Sequence, residues 1–126
     1  MDSSTRKFII VGAISAALAI GLGAFGAHAL KASLSPGMYE VYQTAVLYHL
    51  VHSLGLLAVA FVCFTKPTSG MAKMSGWLMS GGMILFSGSL YLLAVTGAKW
   101  LGAITPLGGI AMIAAWLLMA AAAIRS

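Results

Sequence analysis

Acidic side chains are almost absent from this chain: Asp2 and Glu40 are the only two among 126 residues. One carboxylate in the tail and one elsewhere leave no pair for general acid–base work. The lone cysteine, Cys63, has no intrachain disulfide partner and forms no CxxC site. A small apolar core residue is the favoured reading for it. Charge of either sign is scarce, at 7% of residues, where soluble domains carry about 25%. A water-facing surface built from so few charges would be apolar and would precipitate. A soluble globule is therefore excluded, and hydrocarbon is the outer solvent. No phosphate-cradling loop with its lysine follows a strand. No basic cluster or basic helix is available to track nucleic acid, so no nucleic-acid partner is expected.

What is present is hydrophobic: 61% of the residues, gathered in four unbroken runs. They place membrane spans at about 8–29, 42–64, 74–95 and 100–124, with the second helix starting earlier, near Met38. Each run can cross a hydrocarbon core about 30 Å thick at about 1.5 Å per residue. Continuous runs favour helices over the alternating pattern of barrel strands. Turn chemistry separates them: Ser35-Pro36-Gly37, then Lys66-Pro67-Thr68-Ser69-Gly70, then Thr96-Gly97-Ala98-Lys99. The expectation is an all-α integral membrane four-helix bundle, a single transmembrane domain over 1–126. The fourth helix has two readings. It starts at Pro106, with Thr105 as its N-cap, or it runs from Trp100 and kinks at Pro106.

The first run also admits a rival. Arg6-Lys7, an apolar stretch and Ala27-His28-Ala29 resemble a secretory signal with its cleavage site. A signal core usually holds about 7–15 apolar residues, and this run is longer, which favours a retained span.

Flanking Lys and Arg set the orientation. Arg6, Lys7, Lys66, Lys73 and Arg125 fall on one side, and Lys31 and Lys99 on the other. The positive-inside rule then puts both termini in the cytoplasm, and the expected location is the plasma (inner) membrane. The bilayer is the first expected partner.

Fifteen glycines in a helical membrane protein point to close backbone approach. Ala19, Gly23 and Ala27 recur every four residues, as do Gly12 with Ala16 and Gly76 with Ser80. Gly12, Gly23, Ala27, Gly76, Gly108 and Gly109 are the candidate packing positions. Gly21-Leu22-Gly23-Ala24-Phe25-Gly26 spells a dinucleotide fingerprint but lacks the preceding strand that the chemistry requires.

The histidines are the most informative polar residues. At about 100° per residue, Tyr42, His49, His52 and Ser53 share a face. Measured from the extracytoplasmic ends of the runs, His28, His49, His52, Ser89, Tyr91 and Thr105 all fall in the outer third. The candidate site is therefore a polar layer of His28, Tyr42, His49, His52, Ser53, Ser89 and Thr105, facing the interior because polar groups in lipid are costly. Interhelical hydrogen bonding is the favoured role. Proton relay and metal ligation by the His49/His52 pair with a third ligand remain open.

Four segments carry a family resemblance: Gly23-Ala24-Phe25-Gly26-Ala27-His28-Ala29; Thr44-Ala45 with Tyr48-His49 and His52; Leu85-Phe86-Ser87-Gly88-Ser89-Leu90-Tyr91; and Ile104-Thr105-Pro106-Leu107-Gly108-Gly109. In order and over nearly the whole chain, they resemble the bacterial membrane family called domain of unknown function 423, to which eukaryotic transmembrane protein 256 is similar. The resemblance implies a small four-helix membrane protein. It implies no catalytic residue, metal or cofactor.

Three function classes follow. A structural or interaction protein, packing with itself as a homo-oligomer or with other membrane proteins, is favoured by the glycine-rich faces. A small transporter or channel component with a histidine-lined polar layer near the outer leaflet is the alternative. A membrane-embedded enzyme is disfavoured by the missing carboxylates.

Overall fold

A computed structural model describes residues 1–125. Helix α1 spans Ser3–Phe25 and continues through one π-helical turn, Gly26–Leu30. The Asp2 carboxylate accepts from Thr5 N–H at 2.9 Å and caps its first turn. Helix α2 spans Pro36–Thr65, with Ser35 as N-cap and proline in the first turn. Helix α3 spans Gly70–Thr96, capped by the Ser69 hydroxyl. It ends at Gly97, whose φ of +72° closes the helix in the left-handed region where glycine is unstrained. A short 3-10 turn, Lys99–Ala103, precedes α4, Thr105–Ile124. The fourth segment is thus broken ahead of Pro106. Thr105 is not its N-cap, a correction to the sequence reading: the cap position is Ile104, with no side-chain bond. The Thr105 hydroxyl is engaged instead with Ser89 of α3, at 2.6 Å.

All four segments are long and apolar enough to cross a membrane. Among the described residues there is no strand. Neighbours in sequence are neighbours in space: α1 packs on α2, α2 on α3, and α3 on α4. Helices α1 and α4 do not meet among the described residues. The central pair, α2 and α3, carries most of the buried side chains. Phe8, Leu56, Val59, Cys63, Met79 and Met112 form the heart of the core. Large apolar side chains such as Ile14, Phe61, Ile84, Ile110 and Leu117 are exposed around the outside, as a hydrocarbon solvent requires.

The buried stripe of α1 runs Thr5, Phe8, Gly12, Ser15, Ala19, alternating steps of three and four as in helices that pack along their length. Gly12 lies against the α2 backbone, where an added Cβ would sit 2.9 Å from Ser53 O. Gly76 accommodates the Phe8 ring, which meets Trp77 edge-on at 5.1 Å. Gly108 sits against the backbone of Phe86 and Gly82, bringing α3 and α4 together main chain to main chain. Gly23 is half-buried beside Val46, and Ala27 is exposed. Gly109 has only loose contact with the Phe86 ring. Of the four-residue stripe, Ala19 is buried and Gly23 meets Val46, while Ala27 is exposed. The buried face of α1 follows a 3.5-residue period, which has drifted away from the four-residue repeat by Ala27.

At the opposite end of the bundle, the Lys66 ammonium donates to the carbonyls of Ala122 (2.9 Å), Ala123 (3.3 Å) and Arg125. It satisfies the last turn of α4, where the helix dipole favours a cation.

Candidate functional site

Helices α1 and α3 run side by side in the same direction: Phe8 meets Gly76, and Ser15 meets Met83, at the same spacing along the chain. They touch little, because both lean on α2. Between them lies a groove of about 450 Å³, within the range of about 300–1,000 Å³ typical of small-molecule sites. Ile10, Ile14, Leu18 and Leu22 form its α1 wall, and Ile84, Gly88 and Tyr91 its α3 wall. No Asp, Glu, Lys or Arg lines it.

Its floor is polar. His49 of α2 places Nδ1 2.9 Å from Tyr91 Oη and Nε2 3.0 Å from Ser15 Oγ. Ser15 Oγ lies 2.7 Å from Ser53 Oγ, and Ser53 reaches the His49 carbonyl at 2.7 Å. Met83 Sδ, a weak acceptor, stands 3.4 Å from Ser15. Three helices are thus joined by one chain of hydrogen bonds, Tyr91–His49–Ser15–Ser53. Ser87 ties α3 to the Ala45 carbonyl at 2.8 Å. At the end of the bundle away from the chain termini, Tyr42 donates to Leu22 O at 2.6 Å, and its ring meets Tyr91 edge-on at 5.3 Å. Gly26 leaves room for the Tyr42 ring at the start of the π-helical turn.

His52 looks the other way. Its Nδ1 lies 2.7 Å from Tyr48 O, and Trp116 of α4 donates to its Nε2 at 3.0 Å. A carbonyl can only accept and an indole N–H can only donate. The two bonds together place the single imidazole proton on Nδ1. Tyr48 packs on Phe86 at 4.6 Å. The α2/α4 side is thereby occupied by the protein's own aromatic rings, while the α1/α3 side stands open.

The expected single layer is thus divided. Tyr42, His49 and Ser53 belong to the groove side. His52 belongs to the α4 side. Ser89 and Thr105 form a separate pair nearer the end of the bundle away from the chain termini. His28 is exposed in the π-helical turn, where it has no need of an interior partner. His49 and His52 are the fourteenth and seventeenth residues of the 30-residue α2, so they lie mid-helix and not in its outer third. The difference arises because α2 begins at Pro36, ahead of the apolar run from which depth is counted. The ring nitrogens of the two histidines are committed to different helices. Among the described residues no three His, Cys, Asp or Glu side chains gather to hold a metal.

Ser15, Ser87 and Trp116 were not singled out from the sequence. The signal for Ser15 was its place in the three-and-four stripe of α1. Nothing local marks Trp116 as the partner of a residue 64 positions away.

Of this floor, His49, Ser53 and Tyr91 lie within the stretch matched by a family model, and Ser15 lies ahead of it. A family model described as "Protein of unknown function (DUF423)" matches residues 22–109. The chain belongs to the DUF423 family. It is 51% identical over 120 residues to the UPF0382 membrane protein YwdK of Bacillus subtilis, covering 95% of this chain and 98% of that one. It is 44% identical over 120 residues to the UPF0382 membrane protein SERP0230 of Staphylococcus epidermidis, covering 95% and 97%. It is 46% identical over 114 residues to the UPF0382 membrane protein SSP2132 of Staphylococcus saprophyticus, covering 90% and 93%. No solved structure matches. These DUF423 relatives are named as membrane proteins, and their names assign no activity. This chain is likewise a multi-pass membrane protein in a lipid bilayer.

Proposed function

We propose that this protein holds an amphiphilic molecule of the bilayer in the groove between α1 and α3. The observation that carries this reading is a buried hydrogen-bonded chain opening onto an apolar gap between two helices that do not close on each other. Polar side chains in hydrocarbon are costly and mark functional positions. Side chains that serve only to join helices sit inside a closed contact, as Ser75 does when it donates to the Ala115 carbonyl at 2.6 Å. Tyr91 and His49 instead border open space.

The other readings have less support. The glycines that suggested self-association are largely used within the chain: Gly12 on α2, Gly76 on Phe8, Gly108 on α3. Conduction lacks a path, because the polar chain terminates on the His49 carbonyl. In this reading the protein lies in the plasma membrane with both termini in the cytoplasm, the orientation supported by the five-to-two distribution of Lys and Arg.

Gly88 supplies the test. A Cβ there meets nothing within 4 Å, and the position lines the groove. Gly88→Phe should therefore fill the gap without disturbing the helices. Wild type and variant, purified in lipid nanodiscs, are extracted and their lipids compared by mass spectrometry. A neutral amphiphile enriched over bulk lipid in wild type, and lost from the variant, is expected. Identical extracts would overturn the reading.

A further inference from the structure

Counting protons along the polar floor defines what the groove recognises. We propose that it selects a long-chain amphiphile whose polar end is an uncharged hydroxyl, received by the oxygen of Tyr91; this rests on the groove-binding reading above.

With neutral imidazole, the chain holds four hydrogens: one each on Tyr91 Oη, His49, Ser15 and Ser53. It also has four links, the last ending on the His49 carbonyl. That carbonyl can only accept, so the Ser53 hydrogen points to it. Ser53 is also the donor facing Ser15, whose own hydrogen is turned to Met83 Sδ, so His49 must donate from Nε2 to Ser15. Nδ1 is left as an acceptor, and Tyr91 donates to it. All four hydrogens are used in this direction, and Tyr91, which lines the groove, has only acceptor capacity left on its oxygen. Reversal would turn Ser15 from Met83 to His49 Nε2 and leave the phenol hydrogen of Tyr91 without a partner in the chain. The resting arrangement therefore asks for a donor from its guest.

Charge and shape narrow the guest further. No cation lines the groove to receive a carboxylate or phosphate, and no anion to receive an amine. The apolar wall from Ile10 to Leu22 extends about 18 Å at the helical rise, suited to an extended alkyl or prenyl chain. A long-chain alcohol has both features. Its hydroxyl hydrogen would meet Tyr91 Oη while its tail lies along the α1 wall.

The test uses the full chain in nanodiscs and a diazirine-bearing hexadecanol as photoprobe. Unlabelled hexadecanol, hexadecyl methyl ether and hexadecanoate compete for it. Labelling on residues 10–22 and 83–91 is expected, with hexadecanol competing about five- to ten-fold better than the ether, the worth of one hydrogen bond. Hexadecanoate should compete least. Tyr91→Phe keeps the ring that meets Tyr42 and should erase the difference between alcohol and ether. Ser15→Ala, which removes the group holding the proton on Nε2, should narrow it and serves if Tyr91→Phe fails to fold. Equal competition by alcohol and ether, with Gly88→Phe still blocking the probe, would overturn the hydroxyl preference while leaving groove binding intact. Labelling outside the groove, unchanged by Gly88→Phe, would overturn both.

Discussion

The indole N–H of Trp116 and the Nε2 of His52 lie 3.0 Å apart, and this bond joins α4 to α2 where their backbones scarcely touch. With Tyr48 O on its other nitrogen, His52 carries its proton on Nδ1. The polar chain through Ser15 requires the opposite of His49, with the proton on Nε2. Solid-state ¹⁵N spectra of histidine-labelled protein in lipid should therefore show the two buried rings as opposite neutral tautomers. Finding both rings in the same tautomer would refute the proton assignment.

The Trp116–His52 bond should also be measurable as a coupling. A double-mutant cycle of Trp116→Phe and His52→Phe, read by unfolding in mixed micelles, is expected to give about 0.6–1.7 kcal/mol, the span for interhelical hydrogen bonds in membranes. Additive losses would mean that the two side chains stabilise the fold independently.

Adjacent glycines in α4 should behave very differently. Gly108→Ala drives a methyl into the backbone of Phe86 and Gly82. Overpacking of this kind costs about 1–3 kcal/mol. Gly109→Ala meets only the Phe86 ring at 3.8 Å, ordinary contact, and should fall within about 0.5 kcal/mol of wild type. Thermal denaturation in detergent distinguishes the two. Equal tolerance would show that α3 and α4 are not held main chain to main chain.

Lys66 is expected to act through the end of α4. Lys66→Met should destabilise the bundle by about 0.3–2 kcal/mol, the range for a cation at a helix C-terminus. Amide exchange should quicken in the last turn of α4, around Ala121 to Ile124, and not at its first turn. Unchanged exchange there would mean that the Lys66 contacts with Ala122 and Ala123 contribute nothing.

Topology can be read with reporter fusions after Ser126 and within the loop at residues 31–35. The terminal reporter should be active in the cytoplasm and the loop reporter outside it, following the five-to-two charge asymmetry. The reverse pattern would invert the assignment.

The four spans were legible because hydropathy in lipid is nearly a one-body property: each run must be apolar whatever it packs against. Helix starts were less legible. The first turns of α1 and α2, from Ser3 and from Pro36, lie ahead of the apolar runs, and their caps at Asp2 and Ser35 mark them. The interior placement of His49 and His52 followed from the cost of burying imidazole in hydrocarbon. Their separation did not. It depends on where Tyr91 and Trp116 arrive, 42 and 64 residues away, and no spacing within α2 encodes that. Lys66 shows the same limit: as a loop lysine it reads only as flanking charge, and its carbonyl partners lie 56 residues further on.

Because every helix rests mainly on the one made just before it, and α1 never meets α4, this bundle can assemble in the order of synthesis. The α1–α2 hairpin needs nothing that follows it to settle its glycine contact at Gly12. α3 docks on a surface already in place, and α4 on α3. Contacts that are local in sequence carry little loop-closure penalty and form early. The clasp of Lys66 on the last turn of α4 is an exception, an amine in place long before its carbonyls exist. It can close only after the fourth span has crossed, making it a late check that all four spans have been threaded.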